Sequence, residues 1–126
     1  MEDDPLFKQE GYDLMGAAFE VYKEKGAGFL EAVYQECMER ELATRKIPFQ
    51  AKPWLKLFYK GEPLLQGYEA DLLVYSGIIT ELKAAKQLAP EHEAQLLNYL
   101  RATGIRVGYL INFGSYPQLE WKRMIL

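Results

Sequence analysis

The centre of the chain contains two apolar segments separated by a short turn, in the stretch LQGYEADLLVYSGIITELK at residues 65–83. Their composition and alternation predict β-strands at 65–75 and 78–84. Ser76 and Gly77, which lie between them, are typical of a two-residue hairpin link. Antiparallel pairing through that link would bring Asp71 of the first strand towards Glu81 of the second.

The segments on either side of this stretch show helical or strand periodicity. Apolar stripes predict helices at 5–24, 29–45 and 90–103, with Asp4 as a candidate N-cap and Pro5 in the first turn of the first helix. Further strands are predicted at 52–60, 106–113 and 118–125. The first three strands are expected to form an antiparallel meander, so the order ααβββαββ predicts an α/β fold.

Length and composition describe an ordinary globular protein. The 126 residues, 49% of them hydrophobic, suit one domain over residues 1–126. The single cysteine, Cys37, excludes an intramolecular disulfide and a cysteine-rich zinc site. No apolar run approaches the roughly 18 residues of a membrane span, and the N-terminus lacks the pattern of a signal peptide. A cytoplasmic protein without a membrane partner is therefore expected.

The net charge of −3 conceals an uneven distribution along the chain. Residues 1–45 carry eleven acidic and five basic side chains, a balance of −6. Residues 46–126 carry seven acidic and ten basic side chains, a balance of +3. The acidic half is either a solvated helical face or a sign that the strand-rich half faces a polyanion.

The strand that contains Glu81 and Lys83 holds candidate catalytic side chains. Alternation places both side chains on one face of that strand, where they form either an exposed ion pair or a metal ligand beside a charge stabiliser. The hairpin would bring Asp71 close to Glu81, and two carboxylates without a cation between them repel each other. A hard divalent cation prefers oxygen ligands, so the pair favours Mg²⁺ or Mn²⁺ over zinc.

Three motifs resemble one known family. Asp71, nine residues and then Glu81-Leu82-Lys83 match the D-x(n)-E-x-K signature of the PD-(D/E)XK nuclease superfamily. Residues 28–34 give a G-x-x-E-x-x-Y match, and QLLNYL (95–100) with GYLINFG (108–114) completes the pattern. Together they resemble the GxxExxY family, a compact branch of that superfamily, over about residues 7–126. Ala70 stands where the superfamily's proline would precede the aspartate.

The resemblance implies a fold and a metal centre. The implied fold is a restriction-endonuclease-like three-layer core, in which helices flank a mixed central sheet. Asp71 and Glu81 resemble the two metal-binding carboxylates, and the backbone carbonyl of Leu82 is a further candidate ligand. Lys83 resembles the lysine that positions and helps to deprotonate the attacking water, or stabilises the phosphate in the transition state.

Helical residues extend this candidate site. Glu31 resembles the helical acid that completes the metal centre, and Gln95 resembles the glutamine that contacts the water or the phosphate. The alternative interpretation of both is a surface position on a helix. Two lesser candidates have stronger structural explanations, Tyr34 as a core aromatic and His92 as an exposed helix residue. Glu69, which shares the face of Asp71, is a lesser candidate for a spare ligand.

The favoured function is metal-dependent phosphodiester hydrolysis with Mg²⁺ or Mn²⁺ and a nucleic-acid substrate, expected to be DNA. Two alternatives stay open, namely a non-catalytic nucleic-acid- or protein-binding module that retains the fold, and hydrolysis of RNA or of a small nucleotide. Because cutting both strands of a duplex usually requires two sites, a homodimer is also expected.

Overall fold

The computed structural model of the chain describes residues 6–126. Three helices and seven strands follow one another in the order ααβββββαββ. The helices are α1 (Lys8–Lys25), α2 (Glu31–Thr44) and α3 (Pro90–Thr103). The strands are β1 (Phe49–Ala51), β2 (Trp54–Tyr59), β3 (Glu62–Glu69), β4 (Leu72–Val74), β5 (Ile78–Lys83), β6 (Val107–Asn112) and β7 (Glu120–Ile125). In the described part of the chain, no helix is long and apolar enough to cross a membrane.

The main sheet is mixed and has five strands in the order β1-β4-β5-β6-β7. Strands β5 and β6 are parallel, and the other neighbours in this sheet are antiparallel. The parallel pair arises because α3 returns the chain from the end of β5 to the start of β6, as a parallel connection requires. Strands β2 and β3 form a separate antiparallel ribbon.

Helices cover both faces of the main sheet. Alternate side chains of β5 enter two different apolar clusters, because successive residues of a strand point to opposite faces. Ile78 and Leu82 pack with α1 and α2, whereas Ile79 packs with Leu96 and Leu100 of α3. The predicted α/β fold, a three-layer core with a mixed sheet between helices, is confirmed.

The prediction of one continuous strand over residues 65–75 is wrong, because the chain leaves β3 at Glu69 and starts β4 at Leu72. At this break the Ala70 N–H donates to the Pro53 carbonyl at 3.2 Å, and the Lys52 N–H donates to the Asp71 carbonyl at 3.0 Å. The chain then pairs with β1, a short strand that the sequence did not predict. The expected three-stranded meander is therefore replaced by the β2–β3 ribbon and a separate β4–β5 hairpin.

Other predicted boundaries shift by a few residues. The β4–β5 loop has three residues, 75–77, instead of two, and both Tyr75 and Ser76 have positive φ. The first helix is described from Lys8, so the proposed cap at Asp4 and Pro5 lies outside the described residues. The second helix begins at Glu31, two residues later than predicted, and α3 matches its predicted range.

Tyr34 is a core residue that also holds the turn before α2. Its side chain is fully buried and stacks on Phe113 with 4.6 Å between the ring centroids. Its hydroxyl donates to the Gly26 carbonyl and accepts the Phe29 N–H at 3.2 Å. The structural explanation for this tyrosine, a core aromatic, is thus supported by its contacts.

Tyr34→Phe is expected to lower the free energy of unfolding by roughly 1–2 kcal/mol. The ring stack would survive, but the Gly26 carbonyl and the Phe29 N–H would lose a buried partner. Urea unfolding measures the change, with Tyr12→Phe at a position that is 75% exposed as the matched control. Equal stability of the two variants would contradict this account of Tyr34.

Candidate functional site

The break between β3 and β4 positions Asp71 against β5. Its Oδ2 accepts the Leu82 N–H at 2.8 Å, and its Oδ1 lies 3.0 Å from the Nζ of Lys52. The Asp71 carbonyl accepts hydrogen bonds from the Lys52 N–H and from Gln35 Nε2, both at 3.0 Å. Backbone and side chain are therefore both fixed, and the carboxylate can hold a defined direction at the edge of the sheet.

Glu81 projects from the middle of β5 towards the same place. Its Oε2 accepts the Asp71 N–H at 3.3 Å and a short hydrogen bond from the Tyr68 hydroxyl. Burial raises the pKa of Glu81 to about 7, and the nearby charge of Asp71 adds to the rise. The hydrogen bonds from Tyr68 and from the Asp71 N–H, and the charge of Lys83, act in the opposite direction. The structure thus brings the two carboxylates together, as the hairpin predicted.

Tyr68 is a site residue that sequence reasoning missed. Its ring stacks on that of Tyr99 of α3, with the centroids 3.5 Å apart and the planes 12° from parallel. Burial and the charge of Glu81 raise the pKa of the Tyr68 hydroxyl, so it stays protonated and donates to Glu81. Its place three residues before Asp71 in an apolar strand was the one available signal, because an aromatic there is equally typical of a core.

Lys52 is the second residue that the sequence did not reveal. It lies between β1 and β2 with φ of +52°, and its Nζ contacts Asp71 Oδ1. The hydrogen bond to Asp71 raises the pKa of the Lys52 ammonium, although burial opposes the rise. A positive charge therefore already lies against this carboxylate, where a bound cation would lie.

A cleft of about 260 Å³ opens beside Asp71. Glu31, in the first turn of α2, lines this cleft together with Asp71, Lys52 and Leu82. Gln35 lines it as well and donates through Nε2 to Glu39 Oε2 at 2.8 Å. The predicted helical acid therefore faces the same space as the aspartate.

The α3 candidates do not line this cleft. Gln95 is exposed on α3, the helix that packs against the face of β5 to which Glu81 points. The residues that line the cleft include neither Gln95 nor Glu81 nor Lys83. His92 accepts the Ala89 N–H through Nδ1 at 3.0 Å, and so caps the start of the helix. Lys83 points to the same face of β5 as Glu81 and is half-buried.

The donor set fits a hard divalent cation held by two carboxylates. Within residues 6–126, no group of three or more His, Cys, Asp or Glu side chains could by itself enclose a metal ion. Magnesium usually keeps several waters and needs only one or two carboxylates, so Asp71 and Glu81 suffice chemically. The raised pKa of Glu81 indicates a place that favours added positive charge, whereas at Asp71 the Lys52 ammonium already supplies it.

Comparison with known proteins supports the architecture. Against the crystal structure of SSO0001, the chain has a TM-score of 0.57 at 15% identity, over 75% of its own length and 48% of that structure's chain. The chain thus spans about half the length of that protein, and the likeness concerns the fold alone. Among curated proteins, none matches the chain.

The family comparison covers nearly the whole chain. A family model described as "PD-(D/E)XK nuclease superfamily" matches residues 8–124, which include both carboxylates, the lysine of β5 and all three helices. The chain therefore belongs to the PD-(D/E)XK nuclease superfamily.

Proposed function

We propose that this protein is a divalent-metal-dependent nuclease that hydrolyses phosphodiester bonds, with DNA as its substrate. Superfamily membership indicates nuclease-type phosphodiester hydrolysis in general. The observation that carries the specific proposal is the convergence of Asp71 and Glu81, joined by the hydrogen bond from the Asp71 N–H to Glu81 Oε2. Lys83, two residues further along β5, supplies the positive charge that the reaction needs beside them.

The two carboxylates differ in how their oxygens are engaged by protein donors. Oδ2 of Asp71 accepts the Leu82 N–H, whereas Oδ1 contacts Lys52 alone among the described residues. Oε2 of Glu81 accepts two hydrogen bonds, and its Oε1 has no hydrogen-bond donor within residues 6–126. Tyr68 thus acts as a positioning residue that leaves Oε1 available.

Each residue of the proposed metal site has a separate role in the reaction. Asp71 Oδ1 and Glu81 Oε1 would hold Mg²⁺ or Mn²⁺, with the Leu82 carbonyl and Glu31 as further oxygen donors, directly or through water. Such a cation supplies polarisation of the phosphoryl oxygen and a lowered pKa of bound water. The Lys83 ammonium orients the attacking water and stabilises the negative charge that develops on the phosphate. Gln95, exposed on α3, would contact the water or the phosphate.

A cleavage assay tests the proposal. Purified protein is incubated with supercoiled plasmid, single-stranded DNA or RNA, in Mg²⁺, Mn²⁺ or EDTA. Cutting of DNA with either metal and none in EDTA is the expected result. Cutting of RNA alone would replace DNA as the substrate, and cutting that persists in EDTA would contradict the metal-dependent mechanism.

Lys52→Ala is expected to tighten the binding of Mn²⁺ by about two- to fivefold. A half-exposed ion pair contributes roughly 0–1 kcal/mol, and the ammonium competes with the metal for Asp71 Oδ1. Calorimetric titration measures the affinity, and Lys56→Ala removes a lysine at an exposed position of β2 as the matched control. Weaker Mn²⁺ binding in Lys52→Ala than in the control would show that Lys52 does not compete.

Three finer assignments belong to the same proposal. The chain is proposed to be a single domain of the GxxExxY branch, on the strength of Gly28, Glu31 and Tyr34 in α2 and the turn before it. For the cutting of both strands of a duplex it is proposed to act as a homodimer, because one site cuts one strand. Light scattering that gives only the monomer mass of 14.6 kDa, with and without duplex, would contradict the dimer.

A non-catalytic nucleic-acid-binding module is the second candidate. It is favoured by one observation, the lysine that already neutralises Asp71 without any metal. Nucleic-acid binding without cleavage, together with undetectable Mn²⁺ binding, would support this candidate over the nuclease.

A further inference from the structure

The β2–β3 ribbon exposes aromatic side chains next to the candidate site. Trp54, Phe58 and Tyr59 are 65%, 47% and 63% exposed, although all three lie within one six-residue strand. The alternate residues Leu55 and Leu57 instead pack against the apolar cluster that includes α3. One face of the ribbon therefore serves the core, and the other presents the aromatic side chains of Trp54 and Phe58. Tyr59 alternates with Leu57 and is exposed at the end of β2.

The missing side chain of Gly67 leaves a defined packing position for the Trp54 indole on this outer face. A Cβ built on Gly67 would overlap the indole of Trp54, so the indole lies directly over the glycine backbone of the neighbouring strand. Glycine within a strand often marks such a close approach. The indole thus rests against the ribbon on one side and remains largely open to solvent, as a stacking platform requires.

The ribbon also presents positive charge beside these aromatic side chains. Residues 54–69 contain two lysines, Lys56 and Lys60, and two acids, Glu62 and Glu69, so the ribbon is neutral in a chain of net charge −3. Lys56 lies between Trp54 and Phe58 along β2 and is exposed like them. Lys60 Nζ lies 5.5 Å from the ring centroid of Tyr59. Aromatic faces combined with positive charge are the features that proteins use to bind unpaired nucleotides.

This surface is continuous with the candidate site. Lys52 contacts Asp71, Pro53 accepts the Ala70 N–H, and Trp54 is paired with Glu69. Trp54 comes two residues after Lys52, at the start of β2. A nucleic-acid strand bound along the ribbon would therefore lead towards Asp71.

We propose that the outer face of the β2–β3 ribbon binds the unpaired bases of single-stranded nucleic acid, with Trp54 stacking on a base close to the site. This inference rests on the proposed nuclease function and specifies its substrate. Bases inside a duplex stack on one another and offer no free face, so single strands or frayed ends bind this surface and an intact duplex does not.

Two tryptophans make the test direct, because the chain has only Trp54 and Trp121. In a Glu81→Gln protein kept in EDTA, Trp121→Phe leaves Trp54 as the sole indole. Titration with oligo-dT, oligo-U and a matched DNA duplex is followed by indole fluorescence and by anisotropy of the labelled oligonucleotide. Quenching of Trp54 by the single strands, and weaker binding of the duplex, are the expected results.

Substitutions of Trp54 and Gly67 measure how much stacking contributes to the affinity for single strands. Trp54→Ala is expected to weaken oligo-dT binding by roughly 5- to 100-fold, as loss of one stacked base does. Trp54→Tyr should retain most of the affinity, and Gly67→Ala should lose part of it because the added methyl displaces the indole. Trp121→Phe, at a position 42% exposed on the opposite edge strand, is the control and should bind like the parent.

Two results would overturn the inference. One is equal affinity of Trp54→Ala and the control with no change in Trp54 fluorescence, and the other is duplex binding as tight as single-strand binding. Cleavage by the wild type is measured separately with Mn²⁺. Cleavage that does not depend on Trp54 would overturn the proposed binding surface on the ribbon but not the proposed nuclease function. Binding that depends on Trp54, without cleavage, would overturn the nuclease function and support the binding surface. Tighter binding of oligo-dT than oligo-U, or the reverse, identifies which nucleic acid the stacking surface serves.

Discussion

Glu81→Gln and Asp71→Asn are each expected to reduce metal-dependent cleavage by roughly a hundredfold to a thousandfold or more, which is the range for losing one main electrostatic contact to a reaction's transition state. Both changes keep the size of the side chain and remove one negative charge from the proposed metal site. The hydrogen bonds from Tyr68 to Glu81 and from Leu82 to Asp71 end on oxygens that the amides can still provide. The loss would therefore report on charge and not on folding.

The rates are measured at equal concentrations of folded protein, with saturating Mn²⁺. Glu24→Gln removes a carboxylate at an exposed position of α1 and should cut at the wild-type rate. Lys83→Ala is expected to lose cleavage while it keeps metal binding, because its ammonium acts on water and phosphate. Wild-type activity in Glu81→Gln would show that β5 is not part of the active site.

The same Glu81→Gln change is expected to stabilise the metal-free protein at pH 8 by roughly 2–3 kcal/mol. The folded-state pKa of Glu81 is about 7, above its ordinary value of 4.5. The folded protein therefore holds this proton more tightly than the unfolded chain does. As the pH rises from about 4.5 to 7, the stability that protonated Glu81 allows is lost, because a buried carboxylate beside Asp71 must then be charged.

Urea unfolding in EDTA at pH 5 and pH 8 measures this effect. The wild type should lose stability between the two values relative to Glu81→Gln, and Mn²⁺ should restore stability in the wild type alone. Glu24→Gln again serves as the control, with no gain expected. A Glu81→Gln protein that is less stable than the wild type at pH 8 would show that the carboxylate is not under electrostatic strain.

Much of the fold follows from local patterns in the sequence. The three helices and the strand that contains Glu81 were predicted within a few residues, because their apolar periodicity is uninterrupted. The split between β3 and β4 was missed, since Ala70 and Asp71 continue the alternation of the strand. Only the hydrogen bonds to Lys52 and Pro53, far away in sequence, reveal where the chain changes its partner.

The candidate site was predictable where one hairpin builds it. Asp71 and Glu81 meet because β4 and β5 are adjacent in sequence and pair with a short turn. Lys52 is nineteen residues from its partner Asp71, across a ribbon whose register no motif specifies. Tyr68 is held at the site by its stack on Tyr99 of the α3 layer. The periodicity of a strand does not predict which side chains of another layer pack against it.

The functional roles of Glu31 and Gln95 stay predictions, and the structure treats the two differently. Glu31 lines the cleft beside Asp71, so a direct or water-mediated contact with a cation requires little movement. Gln95 is exposed on α3 and does not line that cleft. A lower activity of Glu31→Gln than of Gln95→Ala is consistent with this placement.

Calorimetric titration of Mn²⁺ into the wild type and into Asp71→Asn tests the central claim most directly, because it measures metal binding by the carboxylate pair without any substrate. The account predicts one saturable site in the wild type and a loss of affinity of at least tenfold in Asp71→Asn, in line with losing a ligand. Equal Mn²⁺ affinity in the two proteins, or no binding by the wild type, would contradict it.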